Sequence, residues 1–291
     1  MGSDEATDQA RISRVLVVGA GAMGSGIAQV IAEAGVAVTL SDVDTQSLER
    51  GLAGITARWD KAVATGKREG NTVAGFKDHL RTGDLSATRE VDLVIEAIVE
   101  RLPAKSALFA ELGQLAPPDA ILASNTSSIS VTALATASGR PQQVVGLHFF
   151  NPAPVLPLVE IVRGLQTSPE TVETAERFVT RLGKTPVIVQ DSPGFVANRI
   201  LLPMINEAVF TLQDGVADAA GIDAVMKLGA AHPMGPLALA DLIGLDVCLE
   251  ILDTLHRDFG DDKYRPAPLL RRMVAAGRLG RKSGQGFHVY A

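Results

Sequence analysis

The 291-residue chain is 46% hydrophobic, carries a formal net charge of −6 and contains a single cysteine, Cys248. That apolar content is enough to bury a large core, and the length suggests two domains, which excludes disorder for most of the chain. The negative balance argues against broad nucleic-acid affinity, and one cysteine permits neither an intramolecular disulfide nor a multi-cysteine metal site, so no metal is expected and a reducing cytoplasm is the expected compartment.

No apolar run approaches the roughly 18 residues that cross a bilayer, so no membrane partner is expected. Residues 1–11 are acidic and polar and read as a flexible tail. The first organised run, Arg14 to Val18, is β-branched and apolar. It breaks at Gly19-Ala20-Gly21-Ala22-Met23-Gly24 and continues into helix-compatible Ser25 to Ala34. Gly35 then supplies a helix stop, and Val36 to Leu40 reads as a second buried strand running into Ser41-Asp42. In this β-α-β order the three glycines have separate duties: Gly19 for a tight turn, Gly21 for close backbone approach to a pyrophosphate, Gly24 for packing of helix on strand. The amides at the helix start, those of Ala22 and Met23 included, face the phosphates. Asp42 lies at the end of the second strand, where a carboxylate accepts from a ribose and repels a 2′-phosphate, so NAD is favoured over NADP.

The polar stretch Thr45 to Asp78 is helix-permissive, and its Arg58, Lys61, Lys67 and Arg68 read as a solvated face. Two further strands, Val91 to Ala97 and Ala120 to Thr126, run into polar residues. Ligands of a doubly wound parallel sheet sit beyond the carboxyl ends of its strands, which makes Ala97, Glu100, Lys105, Ser124, Asn125 and Ser127 candidates by position, alongside the capping and turn duties such residues often have. The next strand, Val144 to Leu147, ends at His148-Phe149-Phe150-Asn151-Pro152, and an apolar strand follows in Leu158-Val159-Glu160-Ile161-Val162. A carboxylate in that setting is costly to bury without a partner, and His148 is the natural one. Glu160 would then fix the tautomer of the ring and leave it to move a proton. The alternative, in which strand alternation points Glu160 to solvent at a sheet edge, stays open at this point.

Near Asp191 the pattern changes. Pro193-Gly194 interrupts it, and Phe195 to Leu212, Ala219 to Leu228 and Leu237 to Phe259 carry apolar residues at helical spacing. The expected organisation is therefore 12–190 as a dinucleotide-binding α/β domain with a mostly parallel sheet and 191–291 as an all-α domain. His79, His232, His256 and His288 have no motif around them and read as structural. A tyrosine-based short-chain reductase is excluded, because neither Tyr264 nor Tyr290 has a lysine four residues on, and no GxSxG elbow supports serine hydrolysis.

Several ordered motifs together carry a resemblance. Gly19-Ala-Gly-Ala-Met-Gly, Ser124-Asn-Thr-Ser-Ser-Ile-Ser, Gly146-Leu-His-Phe-Phe-Asn-Pro, Asp191-Ser-Pro-Gly-Phe-Val-Ala-Asn-Arg, Gly235-Pro and Gly284-Gln-Gly-Phe resemble the 3-hydroxyacyl-CoA dehydrogenase family over nearly the whole chain. The resemblance implies a Rossmann-type domain followed by a helical domain, NAD as cofactor, an acyl-CoA substrate with 3-hydroxybutyryl-CoA foremost, and a homodimer. It assigns His148 as catalytic base, Glu160 as its carboxylate partner, and Ser127 and Asn198 as groups hydrogen-bonding the reacting oxygen. It places the glycine loop, Asp42, Ala97, Glu100, Lys105, Ser127 and Asn151 at the cofactor. Two other functions overlap these motifs: dehydrogenation of a free hydroxy acid, as in the gulonate dehydrogenase and crystallin-like branch, and a catalytically silent NAD-binding protein. The complete set Ser127, His148, Glu160 and Asn198 counts against the latter.

Overall fold

Short runs that are apolar at every position, rather than at alternate ones, belong in strands covered on both faces. The computed structural model describes residues 12–290, so the expected tail at 1–11 lies outside the described residues. The described residues divide into two units, with the boundary between Asp191 and Ser192.

The first unit is built on a sheet of β1 (Arg14–Val18), β2 (Ala37–Ser41), β3 (Leu80–Thr82), β4 (Leu93–Glu96), β5 (Ile121–Ser124), β6 (Val144–Phe149), β7 (Leu158–Arg163) and β8 (Thr185–Gln190), in the spatial order β3-β2-β1-β4-β5-β6-β7-β8. The helices are α1 (Ala22–Glu33), α2 (Thr45–Ala64), α3 (Gly70–His79), α4 (Leu102–Leu115), α5 (Val131–Ser138) and α6 (Pro169–Arg181). Every described pairing is parallel except β6 with β7. Strand order reverses between β1 and β4, which opens a crevice at their carboxyl ends. Register aligns those ends: Val18 stands opposite Ser41 and Glu96, and Ser124 opposite Glu96 and Gly146.

The core on one face joins Val15 and Val17 of β1 to Ile27 and Ile31 of α1, Ile55 and Trp59 of α2 and Ile161 of β7. Burying each such aliphatic side chain contributes about 1.5–3 kcal/mol. The expected single helical stretch after Asp42 is two helices with a short edge strand after them. Arg58 is also less free than a solvated face requires, because its Nε donates to Gln29 Oε1 of α1 at 2.5 Å.

The second unit consists of α7 (Ala197–Gln213), α8 (Ala219–Gly229), α9 (Pro236–Ile243), α10 (Leu245–Phe259) and α11 (Pro268–Ala275) around a core of Leu202, Ile205, Val209, Leu237, Leu252, Leu255 and Leu270. The expected helix Leu237 to Phe259 is broken at Gly244, whose φ of 106° is open to glycine and closed to most other residues. Two buried aspartates fasten the unit. Asp223 accepts from the Leu237 and Ala238 amides at the start of α9, and Asp241 accepts from the Phe287 and His288 amides and the Tyr290 hydroxyl. A Cβ at Gly286 would lie 1.8 Å from Asp241 Oδ1, so Gly284-Gln-Gly-Phe is a closure motif that needs the bare backbone.

Candidate active site

The glycine loop follows β1 directly. The Gly19 amide donates to the Ser41 carbonyl at 2.8 Å, and Gly19 has a φ of 105°. A Cβ on Gly19 would meet the Ala97 carbonyl at 2.5 Å, and one on Gly24 would meet the Gly19 carbonyl at 1.7 Å, so both positions are closed by backbone. Around Gly21, in contrast, nothing lies within 4 Å of an added Cβ. That residue is the N-cap of α1 and gives the first amides of the helix, those of Ala22 and Met23, no side-chain cap. Open space beside bare backbone, at the positive end of a helix dipole, fits a dinucleotide pyrophosphate.

Asp42 supports this loop as well as bordering it. Its Oδ2 accepts from the Ala20 amide at 2.7 Å and its Oδ1 from the Asp44 amide at 2.9 Å. Each carboxylate oxygen retains acceptor capacity beyond one amide, which suits a ribose diol. Gly51 of α2 completes the support, because a Cβ there would stand 2.6 Å from the Ala20 carbonyl.

At the ends of β4 and β5 lies a polar network. Glu96 is fully buried within Leu93-Val94-Ile95-Glu96. Its Oε1 accepts from Lys105 Nζ at 2.5 Å and the Ile98 amide at 2.7 Å, and its Oε2 from Ser124 Oγ at 2.6 Å. Lys105, 1% exposed, also meets Glu100 Oε2 at 3.2 Å. Lys105 Nζ thus bridges the carboxylates of Glu96 and Glu100. Glu100 Oε1 gathers the next loop: Thr126 Oγ1 at 2.5 Å, the Ser127 amide at 2.8 Å and the Ser128 amide at 3.1 Å. Burial pushes the Glu100 carboxyl up, but the Lys105 ammonium and the hydrogen bonds from Thr126 and Ser127 outweigh it and hold the group below the usual range. Ser127 is thus positioned by a carboxylate that stays ionised, with its Oγ 3.3 Å from Glu100 Oε1.

His148 and Glu160 are directly opposite one another in the single antiparallel pairing of the described sheet. Opposed residues in such a pair project from the same face with neighbouring Cβ atoms, and the connection between the strands can be short because no crossover helix is needed. His148 Nδ1 and Glu160 Oε2 are 2.7 Å apart, with the two residues 6% and 2% exposed. The solvent-facing alternative for Glu160 is thereby removed. Packing against Phe150, with ring centroids 4.6 Å apart, limits the tilt of the imidazole. Asn125 ties the Ser127 loop to this strand by accepting from the Phe149 amide at 2.9 Å.

Ala97 is half-buried against the glycine loop, and Asn151 is exposed just beyond β6. Asn198 stands in the other unit, in the first turn of α7, and is 9% exposed. Sequence reasoning missed Glu96, although the signal was the one that singled out Glu160: a carboxylate inside an apolar strand demands a partner, and Lys105 follows within one helical turn of the loop.

Comparison with known proteins identifies the family. The sequence model described as the 3-hydroxyacyl-CoA dehydrogenase NAD binding domain matches residues 14–192, and that of the C-terminal domain matches 194–290. A protein of Deinococcus radiodurans described as a "Probable 3-hydroxybutyryl-CoA dehydrogenase" is 54% identical over 94% of this chain and 99% of its own. The 3-hydroxybutyryl-CoA dehydrogenase of Bradyrhizobium diazoefficiens is 48% identical over 96% of each chain. The crystal structure of the (S)-3-hydroxybutyryl-CoA dehydrogenase of Ralstonia eutropha superposes with a TM-score of 0.93 at 45% identity, covering 97% of this chain and all of that one.

Proposed function

Because the chain belongs to the 3-hydroxyacyl-CoA dehydrogenase family, we propose that it oxidises a (3S)-3-hydroxyacyl-CoA, 3-hydroxybutyryl-CoA foremost, to the 3-oxoacyl-CoA, with NAD as hydride acceptor. The observation that carries the chemistry is the 2.7 Å contact between His148 Nδ1 and Glu160 across β6 and β7. Glu160 accepts the Nδ1 proton and so directs the proton-accepting role to Nε2. In the forward direction His148 removes the 3-hydroxyl proton as the C3 hydride departs, and in reverse it returns that proton to the oxygen. The bound cofactor supplies the hydride chemistry, and the protein supplies position and proton management. Ser127 and Asn198 donate hydrogen bonds to the oxygen on which charge develops.

The glycine loop with Gly21, Ala22 and Met23 holds the pyrophosphate. Asp42 takes the adenosine ribose, and Ala97, Glu100, Lys105, Ser127 and Asn151 contact the cofactor. The relatives' names support an acyl-CoA in place of a free acid. Consumption of NADH followed with acetoacetyl-CoA and, separately, with acetoacetate tests this: turnover of the thioester is expected, and reduction of acetoacetate alone would transfer the chain to the free-acid branch.

We propose a homodimer formed through the C-terminal unit. Ile200 of α7 and Val225 and Leu228 of α8 are 67%, 67% and 87% exposed in the single chain, and light scattering coupled to gel filtration would read twice the 30.5 kDa protomer mass. The cytoplasm remains the proposed compartment, on the buried reduced Cys248; no helix among the described residues is long and apolar enough to cross a membrane.

A further inference from the structure

The network at the ends of β4 and β5 holds two carboxylates against one ammonium. Glu96 faces three donors: Lys105 Nζ, the Ile98 amide, and Ser124 Oγ. The Ser124 oxygen itself accepts from the Thr126 amide at 3.1 Å, so its own proton points to Glu96. Each oxygen of the Glu96 carboxyl is thus met by a donor. Glu100 is held below the usual carboxylate range despite burial. The cluster sets two carboxylates against one ammonium, one acid more than base, at the carboxyl ends of β4 and β5.

A purely structural tie would not need that excess. Glu100 already pairs with Lys105, and its Oε1 already gathers the Thr126–Ser128 loop. The Glu96 side chain reaches that loop through Ser124. What Glu96 adds is charge: it compensates Lys105 and so leaves the charge of Glu100 unspent toward the crevice. The oxidised nicotinamide ring is cationic and the reduced ring is neutral. Ser127, which touches the reacting group in the proposed function, lies within hydrogen-bonding reach of Glu100, so the ring sits within a few side-chain diameters of the cluster.

We propose that Glu96 is a positioning residue that sets the charge of the Glu96–Lys105–Glu100 cluster and through it favours the oxidised cofactor over the reduced one. The inference rests on the proposed placement of the nicotinamide end. Removing one charge at such a distance in a protein interior of intermediate dielectric changes the relative affinity by about fivefold.

The test uses the full chain in its native assembly without acyl-CoA, and measures Kd for NAD⁺ and for NADH by calorimetry. In Glu96→Gln, which keeps the shape and leaves Glu100 to compensate Lys105, the ratio of Kd for NAD⁺ to that for NADH rises about fivefold. In Glu96→Asp, which keeps the carboxylate, the ratio stays at the wild-type value. Ser124→Ala removes a donor without changing charge and leaves the ratio unmoved. A ratio unchanged in Glu96→Gln, or a shift of equal size in Glu96→Asp or Ser124→Ala, would each overturn the proposal. Failure of the functional reading is distinct: the wild type would then bind neither cofactor form or leave acetoacetyl-CoA unreduced.

Discussion

His148 meets Glu160 at 2.7 Å in the N-terminal unit, and His288 meets Asp223 at 2.8 Å in the C-terminal unit. The distances are nearly equal, but the surroundings are not. Asp223 already accepts two amides from the first turn of α9, so His288 adds a third bond to a carboxylate anchored by backbone. Glu160 instead projects from the middle of an apolar strand toward a histidine at the carboxyl edge of a nucleotide-binding sheet. The two contacts therefore differ in where the ring stands, at the end of a sheet strand in one and against the start of α9 in the other, and not in their length.

Removing each histidine is the strongest way to break that comparison. His148→Gln is expected to lower kcat with acetoacetyl-CoA by about 10²–10⁴-fold, the usual contribution of a general acid–base, while NADH affinity measured by fluorescence stays close to wild type. His288→Gln should leave kcat near wild type and lower the thermal midpoint instead. Equal kcat losses in the two variants would erase the distinction.

The carboxylates sharpen it. Asp223→Ala leaves the amides of Leu237 and Ala238 without their acceptor, and urea unfolding should show a loss of about 3–5 kcal/mol with kcat per folded molecule preserved. A loss of catalysis without a loss of stability would make Asp223 part of the chemistry.

Glu100 offers a smaller, pH-resolved effect. Its carboxyl lies below its ordinary 4.5 in the folded chain. Its stabilisation is therefore complete above the unfolded value and fades as pH falls through the lowered folded one. The thermal midpoints of wild type and Glu100→Gln should differ at neutral pH and converge in acid; a constant gap would contradict the role given to the ionised group. Smallest of all is the response of Cys248, whose thiol burial pushes up to about 12, with Asp246 and Asp241 adding to the effect. A thiol reagent at mildly alkaline pH should label it only after unfolding, and rapid labelling of the native protein would show that the C-terminal core opens.

The β1–α1–β2 segment was legible because its signals are local: a glycine turn between two apolar runs, with a carboxylate at the second strand end. Glu160 was legible because a charge among Leu158, Val159, Ile161 and Val162 is anomalous by itself. The edge strands β3 and β8 were not, since three residues such as Leu80–Thr82 carry no period, and β8 is largely exposed. Gly244 was read through because the apolar spacing continues across it, and only the backbone angle shows the break. The Glu96 network depends on a serine 28 residues away in another strand, a separation that no local pattern reports. The Gly235-Pro and Gly284-Gln-Gly-Phe motifs were visible as a resemblance, but their work, closing on Asp223 and Asp241, appears only in three dimensions.

Glu160 is proposed to set the tautomer with which His148 moves the proton. With five histidines in the chain, ¹⁵N-histidine labelling and long-range nitrogen–proton correlation can resolve each ring, and the His148 signals are assigned by their loss in His148→Gln. The His148 ring is expected to carry its proton on Nδ1, toward Glu160, with Nε2 as the acceptor nitrogen, and to exchange that preference in Glu160→Gln. A wild-type ring with its proton on Nε2 and a bare Nδ1 would contradict it, because no nitrogen would then be in place to take the hydroxyl proton.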